Sequence, residues 1–412
     1  MKKIYIAIIG LGYVGLPLAI AFSKRYRVVG FDVDSKKCQN LKKGLVSRDQ
    51  CEPTKLRNAL KSTNFRITDK LEDTGKCNVY IIAVPTPVTR DHHADPTLLK
   101  KACEMVGRVL SKGDIVVIES TVWPGMTEEV CVPILEQASG LRFNHDFYVG
   151  YSPERINPGD TEHPVEKIRK IVSGSTPATA SFLENLYGSV LLNGTYKAQS
   201  IRVAEASKVM ENCQRDVLIA FANEMYTIFS ALGINTEDVI AAASTKWNFI
   251  PLHPGLVGGH CIPVDPYYLI DKAATAGVDA RLLKTARSVN NDMAISYAHR
   301  IADKLKETGG KSVLLLGFAF KPNCDDIRNT RVADVYEELK KSVDDITICD
   351  PLIDVEKVKA CYGIDVVHSV PRDKMYDVVA VTTAHDIFSR EAFLNISHKV
   401  LMRLYEKATG ER

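Results

Sequence analysis

Lys3-Ile4-Tyr5-Ile6-Ala7-Ile8-Ile9-Gly10-Leu11-Gly12-Tyr13-Val14-Gly15 opens the chain and decides how the rest is read. Residues 4–9 are apolar and rich in β-branched side chains, the pattern of a strand buried on both faces. The glycines that stop the run are spaced to turn the chain sharply into a helix over 14–26, and a further apolar run at 27–31 completes a βαβ unit. The same segment admits another reading. Residues 4–21 carry no charge, Lys2 and Lys3 precede them, and Ala19-Ile20-Ala21 resembles a cleavage site, as in a signal peptide. Gly10, Gly12, Gly15 and Pro17 are too dense for a spanning or secretory helix, which favours the strand that turns into a buried helix.

Working outward, apolar runs of strand length recur at 79–84, 115–118 and 147–149, with helical stretches such as 97–110 between them, so a parallel sheet covered on both faces is expected. Over 200–232 the pattern becomes one long helix, in which Ala206, Met210, Val217, Phe221, Met225 and Phe229 keep an apolar face for core or dimer packing. Residues 311–317, 346–350 and 376–381 begin a second βαβ series. Its Asp350 closes a strand much as Asp32 does, but without a full glycine fingerprint, so this half binds a nucleotide differently or not at all. The predicted fold class is α/β: two Rossmann-like doubly wound domains joined by a long central helix and a small helical domain, divided at 1–198, 199–298 and 299–412.

A chain of 412 residues exceeds what one hydrophobic core supports, in keeping with that division. Its 53 Lys+Arg nearly balance 50 Asp+Glu, so no global field recruits nucleic acid or an anionic membrane. Ten cysteines lie at irregular spacings without a CxxC pair, which suits reduced thiols in the cytoplasm and no structural metal.

Three constellations carry chemistry. In the first, Gly10, Gly12 and Gly15 with Tyr13 and Val14 can turn tightly, admit a pyrophosphate and let the helix pack close. Asp32, about 20 residues on at the end of the next strand, can accept hydrogen bonds from a ribose 2′-hydroxyl and repel a 2′-phosphate, favouring NAD over NADP. The second is Pro254-Gly255-Leu256-Val257-Gly258-Gly259-His260-Cys261-Ile262-Pro263-Val264-Asp265-Pro266. Its paired glycines let backbone approach a substrate, and a Cys flanked by His260 and followed by Asp265 is placed like a nucleophile, although a lone loop cysteine is more often filler. In the third, Glu205, Lys208 and Asn212 project from one side of the long helix. Such residues ordinarily form a solvated face, but between two nucleotide-type domains Lys208 and Asn212 could donate to an oxyanion. Loops after strands, where ligands bind in open α/β sheets, add Val84-Pro85-Thr86-Pro87, Glu119-Ser120-Thr121, Ser152-Pro153-Glu154-Arg155 and Phe320-Lys321-Pro322.

As a set these residues resemble the UDP-glucose/GDP-mannose dehydrogenase family over nearly the whole chain. Tyr151-Ser152-Pro153-Glu154-Arg155-Ile156-Asn157-Pro158-Gly159 and Gly259-His260-Cys261-Ile262-Pro263-Val264-Asp265-Pro266-Tyr267-Tyr268 are similar to the branch acting on UDP-N-acetylglucosamine or its galacto epimer. The resemblance implies a four-electron oxidation of a C6 hydroxyl to a carboxylate by two NAD in succession. Cys261 attacks the intermediate aldehyde, Lys208 or a water held by Asp265 takes the hydroxyl proton, Glu154 or Asp265 activates the hydrolytic water, and Lys208 and Asn212 stabilise the oxyanions. It assigns Thr86, Thr121 and Arg328 to NAD, with Thr121 also among the catalytic set. It assigns Glu154, Arg155, Asn157, Lys208, Asn212, Gly258 and Lys321 to the UDP-sugar. Asn248 joins them with a difference, since Lys246-Trp247-Asn248 stands where relatives place an arginine reaching a neighbouring subunit's substrate. By the same resemblance the three segments are NAD-binding, central and UDP-sugar-binding, the chain is a homodimer or higher homo-oligomer, and the pathway is surface polysaccharide synthesis. UDP-N-acetylmannosamine and UDP-glucose are the alternative substrates. The polar stretch from Leu401 onward predicts an incomplete edge to the third domain.

Two other readings fit parts of the chain. A two-electron hydroxyacid dehydrogenase would share the Rossmann domain and a catalytic Lys but needs neither Cys261 nor a second βαβ half. A non-catalytic NAD-binding regulator would have no use for Cys261, Lys208, Asp265 and Glu154 together.

Overall fold

The β-branched runs form the strands their composition predicts. In the computed structural model, which describes residues 3–46, 50–89, 91–155, 165–371, 374–389, 393 and 396–403, the chain divides into two compact units. One comprises Met1–Glu211 with Tyr267–Gly277, the other Asn212–Pro266 with Val278–Arg412.

The first unit is built on a sheet whose strands in chain order are β1 (Tyr5–Ile9), β2 (Arg27–Phe31), β3 (Phe65–Thr68), β4 (Val79–Ile82), β5 (Ile115–Ile118), β6 (Tyr148–Tyr151), β7 (Lys170–Gly174) and β8 (Thr195–Lys197). Their spatial order is β3-β2-β1-β4-β5-β6-β7-β8, with β6 and β7 the antiparallel pair and the other pairings parallel. Order 3-2-1-4-5-6 is that of the doubly wound dinucleotide fold, which leaves the loops after β1, β4, β5 and β6 side by side at one end of the sheet. Helices cover both faces. Ile6, Ile8 and Val28 pack with the helix Gly15–Ser23 on one, while Ala7, Ile9, Tyr80 and Ile82 pack with the helix Thr97–Val109 on the other. The uncharged opening segment is therefore a buried strand and a short buried helix. That helix stops before the predicted residue 26, where Lys24, Arg25 and Tyr26 fold back onto Ala21 and Phe22 carbonyls. Among the described residues no helix is long and apolar enough to cross a membrane.

The second unit carries β9 (Ser312–Leu316), β10 (Asp345–Cys349), β11 (Tyr376–Val381) and β12 (His398–Arg403), all parallel in the order β10-β9-β11-β12. β12 includes Leu401, Met402 and Arg403 and pairs along β11, so the edge expected to be incomplete holds a strand; residues 404–412 lie outside the described set. Gly317 repeats the conformation of Gly10, each with φ +95°. Asp350 likewise repeats Asp32 in accepting backbone N–H groups from the loop after its sheet's first strand, here from Phe318 (2.7 Å) and Ala319 (3.0 Å). It is fully buried and also bonded by His385 Nε2 at 3.0 Å, so its carboxylate is used inside the protein.

The long helix spans Ile201–Ala231, contributing to both units. Its apolar face, read as core or dimer packing, is half-buried at Ala206, Val217, Met225 and Phe229 and exposed at Met210 and Phe221. Within the chain Met210 and Phe221 are 70% and 52% exposed, whereas Glu205 and Lys208 are 0% and 6%. Glu205 can be buried because its carboxylate meets backbone donors.

Candidate active site

In the first unit a ladder bond carries each loop out of the sheet: Gly10 N to Phe31 O, Ala83 N to Ile9 O, Glu119 N to Ile82 O and Ser152 N to Ile118 O, at 2.8–3.0 Å. This registers the glycine turn, Val84-Pro85-Thr86-Pro87, Glu119-Ser120-Thr121 and Ser152-Pro153-Glu154-Arg155 along one end. Ser120 Oγ ties two of the loops by donating to Val84 O at 2.7 Å.

The glycines of the turn differ in what surrounds them. A Cβ on Gly15 would stand 1.8 Å from Gly10 O, and one on Gly10 would stand 2.7 Å from Ala83 O, whereas a Cβ on Gly12 would meet nothing within 4 Å. The turn thus packs tightly beneath and opens above Gly12, the shape a pyrophosphate requires. Tyr13 is partly buried and Val14 almost fully so at the start of the helix. Asp32 stands beside the turn, accepting from Leu11 N at 2.9 Å and Asp34 N at 3.1 Å, and Lys37 Nζ lies 2.7 Å from it. Burial alone would raise its carboxyl, but Lys37 and the backbone donors outweigh that and hold it below its ordinary value, charged and able to accept from a ribose. The turn and Asp32 together fit NAD.

Beneath the β5 and β6 ends lies a network with no local sequence signature. Lys170 Nζ donates to Glu119 Oε2 (2.6 Å) and to Pro153 O (3.0 Å), and Tyr187 Oη donates to Glu119 Oε1 (2.5 Å). Burial pushes Glu119 up to about 7 against the pull of Lys170, with the nearby charge of Glu154 adding to the rise. Pro153 and Glu154 are thereby held against the sheet, Glu154 being 4% exposed. Arg155 is engaged with Glu211 Oε1 (2.6 Å) and Arg169 O (2.8 Å). Asn157 lies outside the described residues. Glu205, one turn before Lys208, accepts from Gly125 N (2.5 Å) and Thr127 N (2.9 Å), bracing the segment that follows Thr121; burial pushes it up to about 7. Thr86 and Thr121 are half-buried in their loops.

In the second unit the cysteine loop is pinned at two points. Asn223, on the long helix, accepts from Gly255 N (2.8 Å) and donates to Gly255 O (3.0 Å), while Gly259 N donates to Arg328 O (3.1 Å) and Gly259 O accepts from Asn329 Nδ2 (2.9 Å). Gly258 and Gly259 were read as making room for substrate. Their missing Cβ atoms make room for Phe320, whose side chain would lie 2.9 and 2.7 Å from them, and Gly259 has φ +86°. Cys261 is half-buried, and its Sγ is 2.8 Å from His260 Nδ1. Cys261 O accepts from Val264 N and Asp265 N as the next helix begins, and Asn212 Nδ2 donates to the buried Asp265 carboxylate.

Lys321 places its ammonium over the Phe320 ring, 5.4 Å from the centroid. Arg328 spans Asp326 with both carboxylate oxygens at 2.9–3.0 Å from its Nε and Oδ2 2.5 Å from Nη2. Burial pushes the Asp326 carboxyl up, but Arg328, and then His260, outweigh it and hold it below its ordinary value. Asn248 is exposed in the segment between the helix Thr236–Ala243 and the cysteine loop. The first unit thus gathers Gly10, Gly12, Tyr13, Val14, Gly15, Asp32, Thr86, Thr121, Glu154, Arg155 and Lys208. The second gathers Asn212, Gly258, Cys261, Asp265, Lys321 and Arg328, with Asn248 apart from the pinned loop.

A doubly wound sheet with this turn and acceptor, joined in one chain to a pinned cysteine loop, defines an NAD-dependent oxidoreductase. The chain belongs to the UDP-glucose/GDP-mannose dehydrogenase family: the family's NAD-binding, central and UDP-binding domain models match residues 4–191, 202–292 and 314–405. It is 46% identical to a UDP-N-acetyl-D-glucosamine 6-dehydrogenase of Pseudomonas aeruginosa over 96% of this chain and 94% of that protein. It is 49% identical to one of Salmonella typhi over 95% and 92%. Among solved structures it is similar to a UDP-D-ManNAc dehydrogenase from Pyrococcus horikoshii, with TM-score 0.86 and 31% identity over 97% of this chain and 95% of that one. It is an NAD-dependent nucleotide-sugar dehydrogenase.

Proposed function

We propose that this chain oxidises the C6 hydroxyl of a UDP-N-acetylhexosamine, UDP-N-acetylglucosamine foremost, to the uronic acid, with Cys261 as nucleophile. The observation that carries the mechanism is the Cys261 loop, pinned through Gly255 and Gly259 with His260 on the sulfur. The relatives' names support the substrate. NAD, when bound, supplies the hydride acceptor for both oxidations. The backbone from Gly10 to Gly15, with Tyr13 and Val14, holds its pyrophosphate and Asp32 its ribose, while Thr86, Thr121 and Arg328 complete its contacts.

Lys208, or a water held by Asp265, takes the proton of the C6 hydroxyl in the first step. Cys261 adds to the resulting aldehyde, and the adduct, once oxidised, is a thioester. Glu154 or Asp265 draws a proton from the water that hydrolyses it. Lys208 and Asn212 donate to the negative oxygen at each tetrahedral stage, each worth about 3 kcal/mol. Glu154, Arg155, Asn157, Gly258, Lys321 and Asn248 hold the UDP-sugar. We assign the work to segments 1–198, 199–298 and 299–412, in a cytoplasmic homo-oligomer serving surface polysaccharide synthesis.

The test is NADH formed per sugar with UDP-N-acetylglucosamine, and with the galacto and manno epimers and UDP-glucose beside it. Two NADH per acetylated sugar, lost in Cys261→Ser, support the reading. One NADH, or turnover indifferent to Cys261, overturns the thioester route and favours a simple two-electron dehydrogenase.

A further inference from the structure

The pinned loop places a second reactive group on the sulfur, and we infer that His260 is the base that takes the Cys261 thiol proton. The inference rests on Cys261 being the nucleophile and adds how it is activated.

His260 Nδ1 lies 2.8 Å from Cys261 Sγ. A thiol proton can pass to Nδ1 only when the ring's own proton is on Nε2, so the ring must be held in that tautomer. The Nε2 that carries this proton is buried. The geometry is also protected from drift. Phe320 fills the space against Gly258 and Gly259 immediately before His260, and Asn329 and the Arg328 carbonyl clamp Gly259. The titratable and charged groups borne by the loop and by the segment packed on it, besides His260, are Cys261, Asp265, Lys321, Cys324, Asp325, Asp326 and Arg328.

In the step so assigned, the Sγ–H bond breaks and its proton goes to Nδ1. The sulfur electron pair forms the S–C6 bond with the aldehyde, whose π pair moves to O6. The imidazolium keeps the proton while O6 carries the negative charge, and nothing is oxidised or reduced. With an imidazole on the sulfur, the loop has a way to generate thiolate at neutral pH that a lone cysteine lacks.

The experiment uses the full chain with iodoacetamide as the probe, following alkylation of the Cys261 peptide against pH in wild type and His260→Gln. Expected is alkylation at pH 7 about tenfold slower in His260→Gln, with its profile displaced to higher pH. In single turnover of His260→Gln the second NADH should lag the first by about a hundredfold or more. Added imidazole should restore the second NADH in His260→Ala, which tests the role even if the glutamine variant folds poorly. Unchanged alkylation profiles with no imidazole rescue overturn the inference. If Cys261→Ser still gives no second NADH in that case, the nucleophile stands and only its activation by His260 falls. If Cys261→Ser gives both NADH, the underlying reading falls with it.

Discussion

Gly12→Ala and Gly15→Ala make a paired prediction, because the structure gives one methyl group two different fates in the same turn. At Gly12 the new Cβ meets nothing within 4 Å, so folding should be nearly unaffected, but the methyl occupies the opening assigned to the pyrophosphate. At Gly15 it would stand 1.8 Å from Gly10 O, where an ordinary contact needs more than 3.4 Å. The helix Gly15–Ser23 must then move off the strand end by well over an ångström. Overpacking of this kind costs about 1–3 kcal/mol, or more against unyielding backbone, and each kcal/mol lowers the melting temperature of a unit this size by roughly 2–4 °C. Gly15→Ala should therefore melt about 5–10 °C lower, while Gly12→Ala should melt within about 2 °C of wild type and bind NAD at least tenfold more weakly. Calorimetric melting and NAD titration by fluorescence measure the two quantities separately. If Gly12→Ala binds NAD normally, or melts as low as Gly15→Ala, the opening above Gly12 is not the pyrophosphate seat.

Three other perturbations follow from buried charges. Glu205 is pushed from 4.5 up to about 7 in the folded chain, so folded protein holds its proton through a window in which unfolded chain has lost it. The stability advantage of wild type over Glu205→Gln should accordingly shrink by up to about 3 kcal/mol as pH rises from 4.5 to 7, and urea melts showing it constant or growing would contradict the assignment. Arg287, 2% exposed, holds the fully buried Asp216 at 2.5 Å; Arg287→Leu should cost about 3–5 kcal/mol because it strands that carboxylate, and a melt within about 1 kcal/mol of wild type would show the pair to be dispensable. Asp32→Asn should weaken NAD binding about tenfold and narrow the NAD-over-NADP ratio in kcat/KM, since the variant no longer repels a 2′-phosphate and releases Lys37; an unchanged ratio would remove Asp32 from cofactor selection.

The parts of this protein legible in one dimension are those whose cause is local. A β-branched run cannot sit comfortably in a helix, and glycines at turn spacing permit one kind of corner, so β1, the turn and Asp32 were readable in order. The cysteine loop was readable as composition, and Cys261 could be named from its neighbours. The apolar spacing on the long helix gave its length but not the burial of Glu205 and Asn223. That burial was chosen by partners far along the chain, the backbone of Gly125 and Thr127 for Glu205 and that of Gly255 for Asn223.

Asp350 shows the same division. Its position matches Asp32, yet whether a carboxylate at a strand end greets a ligand or is consumed internally depended on His385 arriving from another loop. The sequence by itself determined the strand order's starting motif, the cofactor turn and the identity of the candidate nucleophile, because propensity and spacing act between near neighbours. Only the tertiary structure decided why Gly258 and Gly259 are glycines and what braces Glu154, because Phe320 and Lys170 reach those places across the chain.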